Sequence, residues 1–241
     1  MILNHIAIAL REVIPFGLQF PMYLVGGLTF PIMAFFVVEG YRHTSNLKKY
    51  VLRLLIFALI AQIPYVLAFR AFRLNILFTI LLGLMIITLY DRMKSRGLYW
   101  VIFSFSLLVS FFFDWAIIGP LMIFMYHIIK KERSRIIWPG IMAGLANTIG
   151  ALFAVGAIAL VMVLPGSEEL IEAGDLREVL PATVFGLGCF AAVLLLKKFN
   201  GERGRSMRYL FYTAYPLHLA VLAAIALALG LIDFRIPGFL G

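Results

Sequence analysis

The sequence predicts an all-α polytopic transmembrane helical bundle of about nine spans, N-in and C-out. Three observations carry this expectation. Apolar runs near the ~20 residues needed to cross ~30 Å of hydrocarbon recur along 241 residues, with few charges inside them. Hydrophobic residues make up 63% of the chain and charged residues 14%, and the mean hydropathy is +1.00, far from ordinary soluble domains. Lys and Arg concentrate in alternate connections, the bias that marks cytoplasmic loops. The net charge of +9 therefore reads as membrane orientation, not as a nucleic-acid surface. The runs also lack the ten-residue alternation of a membrane β-barrel. A multi-pass protein of the cytoplasmic membrane, with the lipid bilayer as its first partner, is the class implied.

The first run, Met1 to Leu10, covers only about 15 Å as a helix, half the hydrocarbon thickness. Continuing it through Arg11, Glu12 and Pro15 would put two charges and a helix breaker near mid-bilayer. The expectation is a natural start roughly ten residues upstream, which leaves His5 well inside the membrane. The second span, Met22 to Gly40, leads into YRHTSNLKKY, where Arg42, Lys48 and Lys49 read as cytoplasmic. The third runs from Val51 to Phe69, then RAFRLN turns the chain into the fourth, Ile76 to Tyr90, which ends at the basic DRMKSR. The fifth, Leu98 to Phe113, reaches a tight turn at Asp114-Trp115, where Asp is expected to cap the sixth helix and Trp to anchor it at the interface. The sixth ends at Ile129, before KKERSR.

The seventh run, Ile136 to Leu164, is long and glycine-rich, suited to tilting and close packing. Beyond it lies the one acidic connection, with Glu168, Glu169, Glu172, Asp175 and Glu178, expected outside. The eighth span, Leu180 to Leu196, leads to the basic KKFNGERGRSMR, and the ninth is Leu210 to Ile232. Arg70 and Arg73, in an outer turn, are the one exception to the charge rule. There is no internal repeat and no linker, so residues 1–241 read as one domain. The single cysteine, Cys189, lies in an apolar run and reads as a buried thiol.

Polar groups at membrane depth are costly, so depth sorts the candidates for chemistry. His218 lies about 13 Å into the ninth span, and Gln62 and Asn147 at similar depth in theirs, which predicts convergence near mid-bilayer, joined by His5. Two readings stand for these groups: hydrogen-bonded glue between helices, or, for imidazoles, general acid/base chemistry. Glu39, Arg42 and His43 share one helical face at the end of the second span. They form either a helix-end ion pair or, with Lys48, Lys49 and Arg53, a site for an anionic cytoplasmic ligand. Asp91 and His127 read as interfacial, and Asn75 and Thr79 as a helix cap or as the lining of an outer opening. No zinc spacing, P-loop, nucleophile elbow or dinucleotide fingerprint is present, and no metal is expected.

FPIMAFFVVEGYRHTSNLKKYVLRLLIFALIAQIPY followed by LNILFTILLGL resembles the TraX family of membrane proteins, and three shorter matches extend it. These are LNHIA at Leu3 to Ala7, DWAIIG at Asp114 to Gly119 and YPLHL at Tyr215 to Leu219. The resemblance implies a membrane acyltransferase akin to the family's F-pilin acetylase, with acetyl-CoA as cytoplasmic donor. The acceptor would be an amine or hydroxyl of a pilin-like peptide, a glycan or a lipid headgroup. It implies that the family's first-helix histidine corresponds to His5, its helix-end motif to Glu39, Tyr41, Arg42 and His43, and its final-helix histidine to His218. Joined to the depth and charge readings above, the expectation is catalytic roles for His5 and His218, a donor site formed by Arg42, His43, Lys48, Lys49 and Arg53, and a polar lining of Glu39, Tyr41, Gln62, Asn75, Thr79, Asn147 and Tyr215. Two departures stand out. Asn4 occupies the place where the family usually has Asp, and Gly27-Leu28-Thr29 replaces an Arg that many relatives carry. The rival expectations are a small transporter and a catalytically silent assembly protein.

Overall fold

A computed structural model describes residues 1–163, 179–202 and 208–232. The acidic connection with Glu168, Glu169, Glu172, Asp175 and Glu178 lies outside the described residues, as do Arg203 and Arg205 of the last basic connection. The described chain is helical, with one isolated bridge between Leu74 and Phe113. The helices are α1 (Ile2–Ala9), α2 (Phe16–Gly27), α3 (Thr29–His43), α4 (Leu47–Phe69), α5 (Ile76–Arg92), α6 (Arg96–Val109), α7 (Ile118–Ile128), α8 (Glu132–Val163), α9 (Phe185–Leu196) and α10 (Arg208–Ala228).

The helices are very unequal. Three stretches are long and apolar enough to cross a membrane: Phe16–His43, Leu47–Phe69 and Glu132–Leu160. Four shorter apolar stretches, Arg96–Phe112, Ile118–Ile128, Leu180–Leu196 and Tyr212–Ala228, stand among them. The expected second span begins earlier than Met22 and is two helices, with only Leu28 between α2 and α3. At 11 residues, α7 is about 16 Å long, roughly half of ~30 Å of hydrocarbon. Its first residues therefore lie below the level that the long helices reach.

The turn before α7 is held by backbone bonds that act as a fragment of sheet. Leu74 N–H donates to Phe112 O (2.9 Å), and Asp114 N–H donates to Leu74 O (2.8 Å). Asn75, fully buried, caps α5 by accepting from Leu77 N–H and donates to Ala58 O (2.8 Å) and Gln62 Oε1 (2.9 Å). Gln62 in turn donates to Arg73 O (2.7 Å). The expected cap at Asp114 is not made: Ile117 precedes α7 and no side chain caps it. The reason is the extra residues of the turn, which separate Asp114 from the first α7 amides.

The opposite end of α3, α5 and α7 carries the charges. Arg135 of α8 is 5% exposed and bonds Glu39 Oε1 (2.6 Å) and Glu132 Oε1 (2.9 Å), with its guanidinium over the Phe35 ring. Arg42 donates to His127 O (3.1 Å) and Tyr126 O (3.4 Å), carbonyls of the last turn of α7 that have no partner within the helix. Tyr41 Oη donates to Asp91 Oδ2 (2.8 Å), whose other oxygen meets His127 Nε2 (2.9 Å). Cys189 is fully buried.

The core is aromatic and aliphatic, with Phe30, Phe35, Tyr99, Ile123 and Tyr126 fully enclosed. α9 packs along α8 and α2, and α10 along α4. Where α2 meets α9, Gly27 and Gly188 bring the two backbones together: a Cβ on Gly27 would strike Phe185 O, and one on Gly188 would strike Leu24 O. Backbone does not yield as a side chain does, so Gly27→Ala or Gly188→Ala is expected to destabilise the bundle by about 1–3 kcal/mol through overpacking. Gly17→Ala, which meets nothing within 4 Å, is expected to be neutral. Thermal unfolding of the three variants in detergent, followed by intrinsic fluorescence, checks this.

Candidate functional site

His5 and His218 meet. α1 and α10 cross so that His5 Nδ1 lies 2.7 Å from His218 Nε2, with the rings stacked at 5.0 Å and 21°. His218 Nδ1 is 2.7 Å from Ala214 O. A carbonyl only accepts, so His218 carries its proton on Nδ1 and presents the Nε2 lone pair. His5 Nδ1 must then be the donor, which leaves Nε2 of a neutral His5 without a proton. The chain from Ala214 O through His218 thus fixes the tautomer of His5. Phe69 lies edge-on to His5 at 5.0 Å and Tyr215 at 6.2 Å.

His5 lines a cavity of about 780 Å³, within the usual range for small-molecule sites. Its walls also carry Asn4, Thr29, Met33, Tyr65, Arg73, Asp114, Trp115 and Asn147. His218 is not in the wall and stands behind His5, so the two histidines have different positions and different roles. Asn147 donates one Nδ2 hydrogen to Ala143 O (2.8 Å), and its amide has a second to offer.

The other residues expected at this site divide by location. Gln62 does not join the histidines and is taken up by the turn before α5, because Arg73 O and Asn75 need its amide there. Asn75 caps α5 and does not line the cavity, and the Thr79 hydroxyl donates to Asp114 O. Tyr215 is buried beside both histidines and does not line the cavity. Glu39, Tyr41, Arg42 and His43 lie at the charged end with Arg135 and Asp91; His43 Nδ1 donates to Glu39 O (2.9 Å). Lys48 and Lys49 are exposed at the start of α4, and Arg53 is half-buried one turn further on. From Met33 in the cavity wall to Arg42 is about 14 Å along α3. The two groups of residues therefore occupy two depths.

Three residues of interest were not singled out from sequence as functional. Arg135 is hidden in a basic connection, and its burial is visible only in the fold. Arg73 looked like an exception to the charge rule. Asp114 was assigned to a cap, although DWAIIG carried a signal. It lies in the turn before α7, where its carboxyl accepts from Trp115 N–H (3.1 Å).

The TraX protein family model matches residues 1–226 of the chain. Over 215 residues the chain is 30% identical to the probable fimbrial assembly protein FimC, serogroup H1, of Dichelobacter nodosus, a match covering 83% of this chain and 80% of that protein. No solved structure matches.

Proposed function

This chain belongs to the TraX family, and on that premise we propose that it is a membrane-embedded acyltransferase. It moves an acetyl group from cytoplasmic acetyl-CoA to an amine or hydroxyl of a membrane or extracytoplasmic acceptor, with His5 as general base. The observation that carries this reading is the one-way hydrogen-bond chain behind the cavity, which leaves the His5 Nε2 lone pair for a reacting proton. On taking that proton, His5 can share its Nδ1 proton with His218, which spreads the charge over two rings. His218 is thus a positioning residue. The free N–H of Asn147 is the candidate donor to the oxyanion that forms on the carbonyl, a contribution of about 3 kcal/mol in a water-poor site.

The donor side belongs at the charged end, which the positive-inside bias puts in the cytoplasm in an N-in, C-out bundle of about nine spans. Lys48 and Lys49 are open to an incoming phosphate, and Arg42, His43 and Arg53 flank them. The thioester then has about 14 Å of α3 to pass before it reaches the cavity wall at Met33. The relative's name points to fimbrial assembly, which supports a pilin-like peptide as acceptor. A second reading, assembly without catalysis, is favoured by the same name.

His5→Asn is expected to lower acetyl transfer by about 10²–10⁴-fold, the usual worth of a general base, with the folded protein unchanged in size-exclusion chromatography. The measurement is thiol release from acetyl-CoA by native membranes carrying either protein. Equal turnover in the variant would remove His5 as the base, and no thiol release by either protein above that of membranes lacking both would support the assembly reading. For the donor site, calorimetry with acetyl-CoA is expected to show binding that weakens at least tenfold in Lys48→Gln/Lys49→Gln, as the loss of two phosphate contacts implies. That pair of changes leaves the Arg42 contacts to α7 intact.

A further inference from the structure

One carboxyl in the cavity has no part in the chemistry above. Six acidic side chains fall within the described residues. Glu12 pairs with Arg70, Glu39 and Glu132 with Arg135, Asp91 with His127, and Glu202 accepts from Asn200. Asp114 and Glu202 make no ion pair among the described residues, and of the two only Asp114 lines a cavity, which Arg73 shares. Its Oδ1 accepts from Trp115 N–H (3.1 Å) and nothing else among those residues bonds the carboxyl. An ion with so little compensation in a partly enclosed site calls for a ligand of opposite charge.

The backbone that carries Asp114 is strained and held in place. Trp115 (φ 64°) and Ala116 (φ 32°) are both non-glycine residues in the left-handed region. Such conformations persist only where the surroundings over-determine them, and they gather at functional sites. Here Leu74 pins the amide of Asp114, Thr79 donates to its carbonyl, and the Trp115 ring stacks on Phe30 at 4.4 Å. A capping or merely solvent-facing Asp would need none of this. The Tyr65 and Trp115 rings line the same wall, and aromatic rings favour a cation over an anion or a neutral polar group.

We propose that Asp114 and its aromatic neighbours form an ammonium-binding site, which receives a primary amine of the acceptor and holds it before His5. This rests on the acyltransferase reading for what happens next, but not for binding. A protonated amine has three N–H bonds, so it can bond Asp114 and His5 Nε2 together. A hydroxyl has one and cannot satisfy both. His5 takes the first proton and frees the nitrogen lone pair. That pair forms the bond to the thioester carbonyl carbon, the C–S bond breaks, and its electrons leave on the thiolate. The second nitrogen proton passes to Asp114 and from there to the thiolate, while His5 returns the first to water. The products are an amide, a free thiol and one proton.

The test uses the full chain in detergent with Trp100→Phe and Trp138→Phe, so that Trp115 is the fluorescent reporter. Butylammonium chloride and butanol are the ligands titrated. Butylammonium is expected to saturate the signal, with affinity at least tenfold weaker in Asp114→Asn and recovered in part by Asp114→Glu; butanol is expected to give no saturable change. Equal butylammonium affinity in Asp114→Asn and its parent, or equal response to butanol, overturns the site. Thiol release from acetyl-CoA in the presence of butylamine is measured on the same samples. Asp114-dependent binding with no thiol release by the wild type retains the ammonium site and removes the acyltransferase reading. Thiol release that Asp114→Asn leaves unchanged retains the acyltransferase and removes the site.

Discussion

A hydrocarbon layer offers no hydrogen bonds, so every backbone group that leaves a helix inside it must find its partner within the protein. In this fold the demand is concentrated at one place, because α7 is too short to span and its entry turn lies among longer helices. The solution is the knot of Leu74, Asn75, Gln62 and Thr79 around Phe112 to Asp114, in which amides and hydroxyls of three segments satisfy the turn. The α6–α7 turn has to stay beside the start of α5, and α3 has to receive Trp115 on Phe30. A wall with irregular backbone at depth is tolerated only where protein or a cavity backs it, and here it lines the cavity.

That arrangement separates polar chemistry into two layers. Thr79 marks the level of the knot and Asp91 the charged end, about 18 Å apart along α5. The charged layer is well compensated: Arg135, though buried, has two carboxylates and an aromatic ring, and Arg42 satisfies the carbonyls where α7 stops. Removing one partner from such a set leaves a buried charge uncompensated, so these residues tie α3, α7 and α8 together whether or not they also meet a ligand. The cavity layer is different. It holds an imidazole with a spare lone pair and a carboxyl that makes no ion pair among the described residues. Carboxylate–guanidinium pairs are concentrated in one layer, and a ring nitrogen and a carboxyl open to a ligand in the other.

Depth counting read some of this from the sequence. It brought His218 and Asn147 to one region, since each is far from a charged connection, added His5 on the expectation of a longer first helix, and identified the Glu39–Arg42–His43 face. It misplaced Gln62 for a physical reason: depth along one helix says nothing about a neighbouring helix that begins late, and α5 begins where Gln62 can reach its cap. Asp114 was misread because an Asp before an apolar helix is usually a cap, and nothing local announces that Trp115 and Ala116 turn left-handed. The unequal helix lengths were also hidden, because an apolar run in sequence continues through a 3-10 turn such as Ser110–Phe112 without a break in composition. Arg135 shows the same limit in reverse, as its burial depends on where Glu39 comes to lie.

Asn4 is the departure that bears most directly on chemistry. If the Asp usual at this place in the family oriented the neighbouring histidine, its loss should free His5 to take either tautomer. The geometry argues otherwise. The Asn4 side chain lies against Gly26, its Oδ1 is buried without a partner, and it makes no hydrogen bond to His5. A carboxylate at that point would carry a charge into a contact with glycine, with no donor in reach. The orientation of His5 comes from the other side, from His218 and the Ala214 carbonyl, and both are present. Replacing Asp by Asn at this position removes a charge from the cavity wall while leaving the hydrogen-bond chain intact, and it makes Asp114 the one acidic group among the described residues of that wall.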